Sequence, residues 1–146
     1  MKRIFTFSLF FVTVFSLSFF AFHSETYAWS ESYTGTWPHQ TPCASDARTV
    51  HSAQIDSASV IELRYSPSCE TAWARITADY PHEPSERGLG EARIVRNSDG
   101  RSYSCTLQAG QSSCFTQQVN DHNVTSFAEG VHDNGIVFRE ARTASY

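Results

Sequence analysis

Short segments in which apolar and polar residues alternate constrain the fold of this chain more than any other feature. In residues 60–65, the apolar Ile61, Leu63 and Tyr65 alternate with the polar Glu62 and Arg64, which is the period-two pattern of a half-buried β-strand. Residues 46–56 contain both β-branched residues and alanines, so they are compatible with either a strand or a helix. The other segments that we expect to form strands are 71–78, 92–96, 101–107, 114–119, 124–127 and 136–139.

Turn residues separate these segments. The Asn-Ser-Asp-Gly sequence at 97–100 predicts a tight hairpin, because glycine adopts a positive φ at little cost. Ser-Pro-Ser at 66–68 predicts the turn of a second hairpin, and residues 80–90 contain two prolines and predict a loop. Short strands separated by turns in this way predict an all-β fold, a small antiparallel sandwich or barrel.

The first 28 residues have the composition of a secretory signal peptide. Lys2 and Arg3 precede an apolar run of about 19 residues, and Ala28 ends the segment with a small residue that signal peptidase accepts. The alternative is an uncleaved anchor, because a membrane-spanning helix needs roughly 20 apolar residues. The polar residues 23–26 favour cleavage after Ala28. We therefore expect a secreted, extracellular protein without stable membrane insertion after cleavage.

Cleavage would leave residues 29–146, a length typical of one domain. Residues 29–42 are polar, aromatic and rich in turn residues. Pro38 disfavours the α conformation for the residue before it, so we expect 29–42 to form an extended arm that is pinned at its end by Cys43. The aromatic residues of this arm form a candidate contact patch and are Trp29, Tyr33 and Trp37.

The chain contains four cysteines, an even number that predicts two disulfides in an exported protein. Three connectivities are possible, and we favour Cys43–Cys69 with Cys105–Cys114, because the second pair flanks the turn residues 109–111. A metal site or a catalytic thiol is the alternative. No cysteine has the spacing of a zinc ligand, and export favours disulfides over free thiols. We therefore predict no metal site, no cofactor and no catalytic residue.

Charge and aromatic residues suggest what the protein binds. A net charge of −4 argues against nucleic-acid binding. Along the predicted strands, aromatic residues are interleaved with arginines, and arginine both stacks on aromatic rings and pairs with anions. If these side chains share a face, they could hold an anionic wall polymer, a glycan or a carboxylate of a secreted protein. In the alternative interpretation the aromatics fill the core and the arginines cover the sheet. The candidate binding residues are Arg64, Tyr65, Trp73, Arg75 and Tyr103, with Arg93, Arg96 and Arg101 nearby along the chain.

Two other functions remain open at this point. A small secreted hydrolase or toxin would use a histidine paired with Asp or Glu, within about 3 Å in a pocket. The histidines considered for this role are His51, His82, His122 and His132, of which the last two fall in predicted turns where a solvated histidine is the ordinary outcome. An inhibitor of an exported enzyme would instead present a rigid exposed loop such as residues 83–90.

Four segments carry a resemblance to a known family. They are Pro-Cys-Ala-Ser-Asp-Ala at 42–47, Val-Ile-Glu-Leu-Arg-Tyr-Ser-Pro-Ser-Cys at 60–69, Thr-Ala-Trp-Ala-Arg-Ile at 71–76 and Arg-Asn-Ser-Asp-Gly at 96–100. Through them the chain resembles the YjfA-like family of secreted or surface-attached Gram-positive bacterial proteins of unknown function. The resemblance implies export and one compact domain, and it assigns no activity.

The chain also departs from that family pattern. Members of the family that the chain resembles often have extra cysteines in the N-terminal arm. They also often have Asp-Pro where this chain has Trp37-Pro38, and Gly where it has Pro42. A ligand role of that Asp-Pro would therefore not extend to this chain. Together these observations predict a secreted, disulfide-stabilised protein of unknown function, more consistent with a non-enzymatic binding module at the cell exterior than with an enzyme.

Overall fold

The computed structural model describes residues 31–81, 90–133 and 137–146. Within these ranges the chain forms nine β-strands. They are β1 (Arg48–Asp56), β2 (Ser59–Ser66), β3 (Thr71–Ala78), β4 (Glu91–Arg96), β5 (Ser102–Thr106), β6 (Ser113–Phe115), β7 (Val119–Asn120), β8 (Ser126–Asp133) and β9 (Phe138–Arg142). The leader 1–28, Trp29, His82, the predicted inhibitor loop apart from Gly90, and residues 134–136, which include the first residue of the predicted strand 136–139, lie outside the described residues.

The strands form two antiparallel sheets. The first has the order β1-β2-β3-β6, with β7 also paired to β3, and the second has the order β5-β4-β8-β9. This confirms the predicted all-β antiparallel fold. The barrel alternative is wrong, because the strands divide into two separate sheets and neither closes on itself within the described ranges.

The core lies between the two sheets. Ile61, Leu63 and Ile76 from the first sheet are fully buried, as are Ile94 and Ala128 from the second. The predicted alternation of residues 60–65 is therefore present in β2, where every second side chain enters the core. Burial of such side chains is the main favourable contribution to folding.

A glycine marks the closest approach of the sheets. A Cβ atom on Gly130 in β8 would lie 2.7 Å from Cβ of Ile61 and 2.7 Å from Cδ1 of Ile55. Real Cβ atoms do not come this close to a neighbouring carbon, so no larger residue fits without displacing β2. The backbone of β8 therefore packs directly on the isoleucines of the facing sheet.

Both predicted disulfides are present. Cys105 on β5 is bonded to Cys114 on β6, with a Cα–Cα distance of 6.1 Å, and this bond joins the second sheet to the first. Cys43 is bonded to Cys69 with a Cα–Cα distance of 5.5 Å. It ties the N-terminal segment to the turn between β2 and β3.

The N-terminal segment differs from the predicted extended arm. Residues Pro38–Gln40 and Pro42–Asp46 form two 3-10 helices, because proline is favoured in the first helical turn, where its missing N–H costs no hydrogen bond. Trp37 itself is extended, with φ −79° and ψ 129°, as expected before proline. The amide of Gly35 donates to the carbonyl of Gln118 at 2.9 Å, so the segment is docked on the domain.

Three further boundaries differ from the sequence prediction. Of the ambiguous residues 46–56, Arg48–Asp56 form the strand β1, and the predicted strand 114–119 divides into the short β6 and β7. The predicted strand 124–127 begins at Ser126 and continues to Asp133. These differences arise because strand length depends on the partner strand, which local sequence does not specify.

Candidate functional site

A pocket of about 150 Å³ opens on the outer face of the first sheet. One wall comes from the N-terminal segment and consists of Pro38, His39, Ala44 and Ala47. The floor comes from β2, β3 and β6 and consists of Arg64, Trp73, Arg75 and Phe115. We call these eight residues the Arg–Trp pocket.

Strand register brings the floor of the Arg–Trp pocket together. Arg64 on β2 lies opposite Trp73 on β3, and Arg75 on β3 lies opposite Phe115 on β6. Side chains at such positions are neighbours on one face of a sheet. Trp73 is only 5% exposed, and residues of the N-terminal segment line the pocket beside it together with Arg64 and Arg75.

A hydrogen-bond network connects the two arginines through Glu62. Nε of Arg75 donates to Oε2 of Glu62 at 2.6 Å, and the hydroxyl of Thr49 donates to the other carboxylate oxygen at 2.8 Å. Nη1 of Arg64 donates to the same hydroxyl at 2.8 Å, and its Nη2 donates to the carbonyl of Ala47 at 3.1 Å. Two guanidinium groups thus share one carboxylate, which leaves a net positive charge at the pocket.

The pKa values of these groups follow from that arrangement. Burial raises the pKa of Glu62, but the hydrogen bonds from Arg75 and Thr49 and the nearby positive charges outweigh it and hold the pKa below its ordinary value. Burial lowers the pKa of Arg64, and the positive charge of Arg75 lowers it further. The pocket therefore lacks enough negative charge to balance both arginines.

The terminal nitrogens of Arg75 are the part of the network left for a ligand. Its Nε is bonded to Glu62, whereas Nη1 and Nη2 have no hydrogen-bond partner in residues 31–81, 90–133 and 137–146. The side chain is 39% exposed, so both nitrogens can be reached from solvent. A guanidinium held in this way presents two parallel donors, the geometry that binds two oxygens of one anion.

The other predicted binding residues lie elsewhere. Tyr65 lies on the core side of β2, where its ring centroid is 4.9 Å from that of Tyr146. Tyr103 packs against the core from the second sheet, and its hydroxyl is so close to Gly35 that a Cβ there would lie 2.9 Å from it. The structure therefore brings together Arg64, Trp73 and Arg75, and separates them from both tyrosines.

The additional arginines also have their own partners. Arg93 lies on the outer face of the second sheet and donates to Ser102 at 3.0 Å. The guanidinium of Arg96 is buried and donates to Asp99 at 2.7 Å and to Glu31 at 3.0 Å. These hydrogen bonds raise the pKa of Arg96, and they hold the pKa of Asp99 well below its usual range. This group stabilises the β4–β5 hairpin and is separate from the Arg–Trp pocket.

An aromatic group lies at the rim of the pocket. The rings of Trp37 and Phe115 are 6.1 Å apart in an edge-to-face arrangement, and those of His39 and Phe115 are 5.4 Å apart. Trp37 is 36% exposed. The sequence indicated Trp37 as a contact residue of the arm, but it did not indicate Phe115 or His39, because their proximity depends on pairing between distant segments.

Histidine–carboxylate contacts are also present. Nδ1 of His132 lies 2.5 Å from Oδ2 of Asp56, and Nδ1 of His122 lies 2.5 Å from a carboxylate oxygen of Glu70. His132 is buried in β8, which corrects the prediction of a solvated turn histidine. Ser59 donates to Asp56 at 2.8 Å rather than to the imidazole, so it is not placed as a nucleophile beside its base.

A second groove of about 390 Å³ lies over β8 and β9. Its charged side chains include Glu129 and Arg142. Glu129 lies 3.8 Å from Arg93, and the guanidinium of Arg142 lies over the ring of Phe127 at 3.3 Å. Glu140 adds a second carboxylate to this groove, and its lining contains no aromatic side chain, so we regard the smaller Arg–Trp pocket as the better candidate site.

In the described ranges no three His, Cys, Asp or Glu side chains are grouped so that they could hold a metal ion. No helix in that part of the chain is long and apolar enough to span a membrane.

Comparisons with known proteins identify the family. Residues 31–139 match the family described as "Protein of unknown function (DUF2690)". The chain is also 35% identical over 136 residues to "Uncharacterized protein YjfA" of Bacillus subtilis (strain 168), and the match covers 84% of this chain and 83% of that protein. No solved structure matches the chain. The chain therefore belongs to the DUF2690 family, the YjfA-like family that its sequence resembles.

Proposed function

We propose that this protein is a secreted, non-enzymatic binding module that holds an anionic group at the cell exterior through the Arg–Trp pocket. The observation that supports this most directly is the geometry of Arg75. Glu62 fixes its guanidinium through Nε, the partly exposed side chain lines the pocket, and its two terminal nitrogens have no hydrogen-bond partner among the described residues. The ordering cost of binding is low when the side chain is already fixed in this way.

Secretion is supported by the leader composition of residues 1–28 and by the two disulfides. Disulfides persist in oxidising compartments and are rare in the cytosol. An anionic wall polymer, a glycan or a carboxylate of a secreted protein would be available to the pocket in that location.

Retention on purified cell wall tests this proposal. We expect the Arg64→Ala/Arg75→Ala double variant to be retained at least about tenfold less than the unmodified protein, because both guanidinium groups at the opening are removed. The charge-matched control is Arg93→Ala/Arg139→Ala, which removes two exposed arginines of the second sheet.

Urea unfolding must first show that both double variants are folded. Equal retention of the unmodified protein and the Arg64→Ala/Arg75→Ala variant would refute the proposal. An equal loss in the control would also refute it, since retention would then depend on overall charge and not on the pocket.

Two histidine–carboxylate contacts bear on the hydrolase alternative, and the buried one joins His132 to Asp56. A hydrolase of this kind would need a nucleophile or water activated by the imidazole, and Ser59 is directed to the carboxylate instead. We therefore assign this contact a structural role. The inhibitor alternative depends on residues 83–90 and has no support from the described part of the chain.

A further inference from the structure

If the Arg–Trp pocket binds an anion as proposed above, its geometry points to a specific ligand class. We propose that the ligand is a glycan whose sugar units carry carboxylates. In this arrangement one carboxylate binds to Nη1 and Nη2 of Arg75, and the apolar face of a neighbouring sugar ring packs on Trp37.

The size of the pocket indicates that it receives one substituent of a larger ligand. Its volume is about 150 Å³, whereas pockets that enclose a whole small molecule begin at roughly 300 Å³. The rest of the ligand must therefore extend across the rim. A polymer with small charged side groups meets this requirement.

The rim offers an aromatic surface in a fixed position. Trp37 is 36% exposed, and its ring is held by an edge-to-face contact with Phe115 at an interplanar angle of 83°. Phe115 is also the register partner of Arg75, so it connects the cationic and aromatic parts of the site. A sugar ring has a face of C–H groups that packs on such a surface, while its hydroxyl groups stay hydrated at the edge.

The charge and shape of the opening favour a carboxylate. Arg64, Arg75 and Glu62 together carry one net positive charge, which matches a singly charged group. The two oxygens of a carboxylate lie in one plane, which matches the arrangement of the two terminal nitrogens of Arg75. A phosphodiester carries its charge within the polymer backbone, and the atoms linked on both sides would not fit in so small a pocket. An acidic polypeptide could reach Arg75 but offers no sugar face to Trp37.

Binding of the folded protein to four defined polymers tests this proposal, with chain length and salt concentration matched. The polymers are polygalacturonate, its methyl ester, poly-glutamate and polyglycerol phosphate. We expect polygalacturonate to bind about tenfold more tightly than each of the other three. Equal or tighter binding of any of the other three would overturn the assignment of a carboxylated glycan.

Variants separate the two parts of the site. Trp37→Ala should weaken polygalacturonate binding about tenfold and leave poly-glutamate binding unchanged, whereas Arg75→Ala should weaken both. Trp37→Tyr keeps an aromatic ring at the rim and should retain binding. Urea unfolding of Trp37→Ala shows whether that variant is folded, so that a loss of binding is not mistaken for a folding defect. Tyr80→Ala removes an aromatic side chain that is 76% exposed outside the pocket and should have no effect.

Loss of polygalacturonate binding in the Tyr80→Ala control, or full binding by Trp37→Ala, would refute the role of Trp37. The wall-retention experiment remains independent of these results. If retention requires Arg64 and Arg75 but polygalacturonate does not bind, the anion-binding function stands and the glycan assignment is wrong.

Discussion

His132 on β8 and Asp56 on β1 form a buried contact between the two sheets, with Nδ1 of the imidazole 2.5 Å from a carboxylate oxygen. The side chains are 7% and 12% exposed, respectively. Ser59 and the amide of Ala58 donate to the second carboxylate oxygen at 2.8 Å each. The carboxylate thus links β8 to the turn between β1 and β2.

The first prediction concerns this contact. His132→Ala should lower the free energy of unfolding by about 1–3 kcal/mol, because it leaves a buried carboxylate with one partner fewer. The double variant His132→Ala/Asp56→Asn should lose less than the sum of the two single variants. Urea unfolding of all four proteins measures this coupling, and strict additivity would show that the two side chains act independently.

The pH dependence of this contact has a definite sign. Burial raises the pKa of Asp56, but the hydrogen bonds from His132, Ala58 and Ser59 outweigh it, so the net pKa is below the ordinary value of 3.8. The stabilisation from the ionised carboxylate is therefore present above about pH 4 and is lost as the pH falls through the lower folded-state pKa.

The second prediction concerns Asp121, whose carboxylate is buried and accepts a hydrogen bond from Ser126 at 2.6 Å. Burial raises the pKa of Asp121 from 3.8 to about 6. A raised carboxyl pKa in the folded state means that folding favours the protonated form. The free energy of unfolding therefore decreases as the pH rises from about 4 to above 6.

Asp121→Asn should remove this penalty and still accept the hydrogen bond from Ser126. Each pKa unit corresponds to about 1.4 kcal/mol, so we expect the variant to be stabilised by up to about 3 kcal/mol at pH 8 and little changed at pH 4. Urea unfolding at both pH values gives the difference. The control, Asp79→Asn, changes an exposed aspartate, and an equal gain there would argue against burial as the cause.

The third prediction concerns the close approach of the sheets at Gly130. Gly130→Ala should lower the free energy of unfolding by about 1–3 kcal/mol, because the new Cβ would lie 2.7 Å from Cβ of Ile61. Thermal or urea unfolding measures the loss. Ser104→Ala, at an exposed position of the same sheet, should change the stability little, and a neutral Gly130→Ala would contradict the packing described here.

The fourth prediction separates the two disulfides. The loop-entropy relation gives about 3.5 kcal/mol for the 26-residue separation of Cys43–Cys69 and about 2.7 kcal/mol for the 9-residue separation of Cys105–Cys114. Cys43→Ala/Cys69→Ala should also release the N-terminal wall of the Arg–Trp pocket. Amide hydrogen exchange in residues 38–46 should therefore increase more in this variant than in Cys105→Ala/Cys114→Ala.

Equal exchange in the two variants would show that Cys43–Cys69 does not hold the wall. Wall retention of the Cys43→Ala/Cys69→Ala variant provides a second measure, since release of Ala44 and Ala47 would alter the pocket in which Arg75 is presented.

Part of the candidate site could be predicted from sequence. Residues 60–65 and 71–78 were predicted to form a hairpin, and it contains Arg64, Trp73 and Arg75 of the five candidate binding residues. A hairpin of this kind specifies which side chains share a face. Tyr65 directly follows Arg64 in the strand, so its side chain lies on the opposite face of β2.

The remaining part required the tertiary structure. Phe115 enters the site because β6 pairs with β3, and Pro38 and Ala44 enter it because the N-terminal segment folds over Trp73. These contacts join residues that are 29 or more positions apart, and local patterns do not determine which distant strands pair. The burial of His132 was missed for the same reason, since its partner Asp56 is 76 positions away.

The amino-acid sequence by itself determined the all-β class and the main hairpins, because strand periodicity and turn residues are local properties. It predicted two disulfides but left three connectivities open, and the tertiary structure decided between them. Only the tertiary structure decided that the strands form two open sheets and not a barrel. It also decided that the N-terminal segment is a folded wall and not an extended arm, and that Glu62 holds Nε of Arg75 while the two terminal nitrogens have no hydrogen-bond partner among the described residues. These features depend on packing between distant segments, where the balance of burial, hydrogen bonding and charge is set by the whole domain.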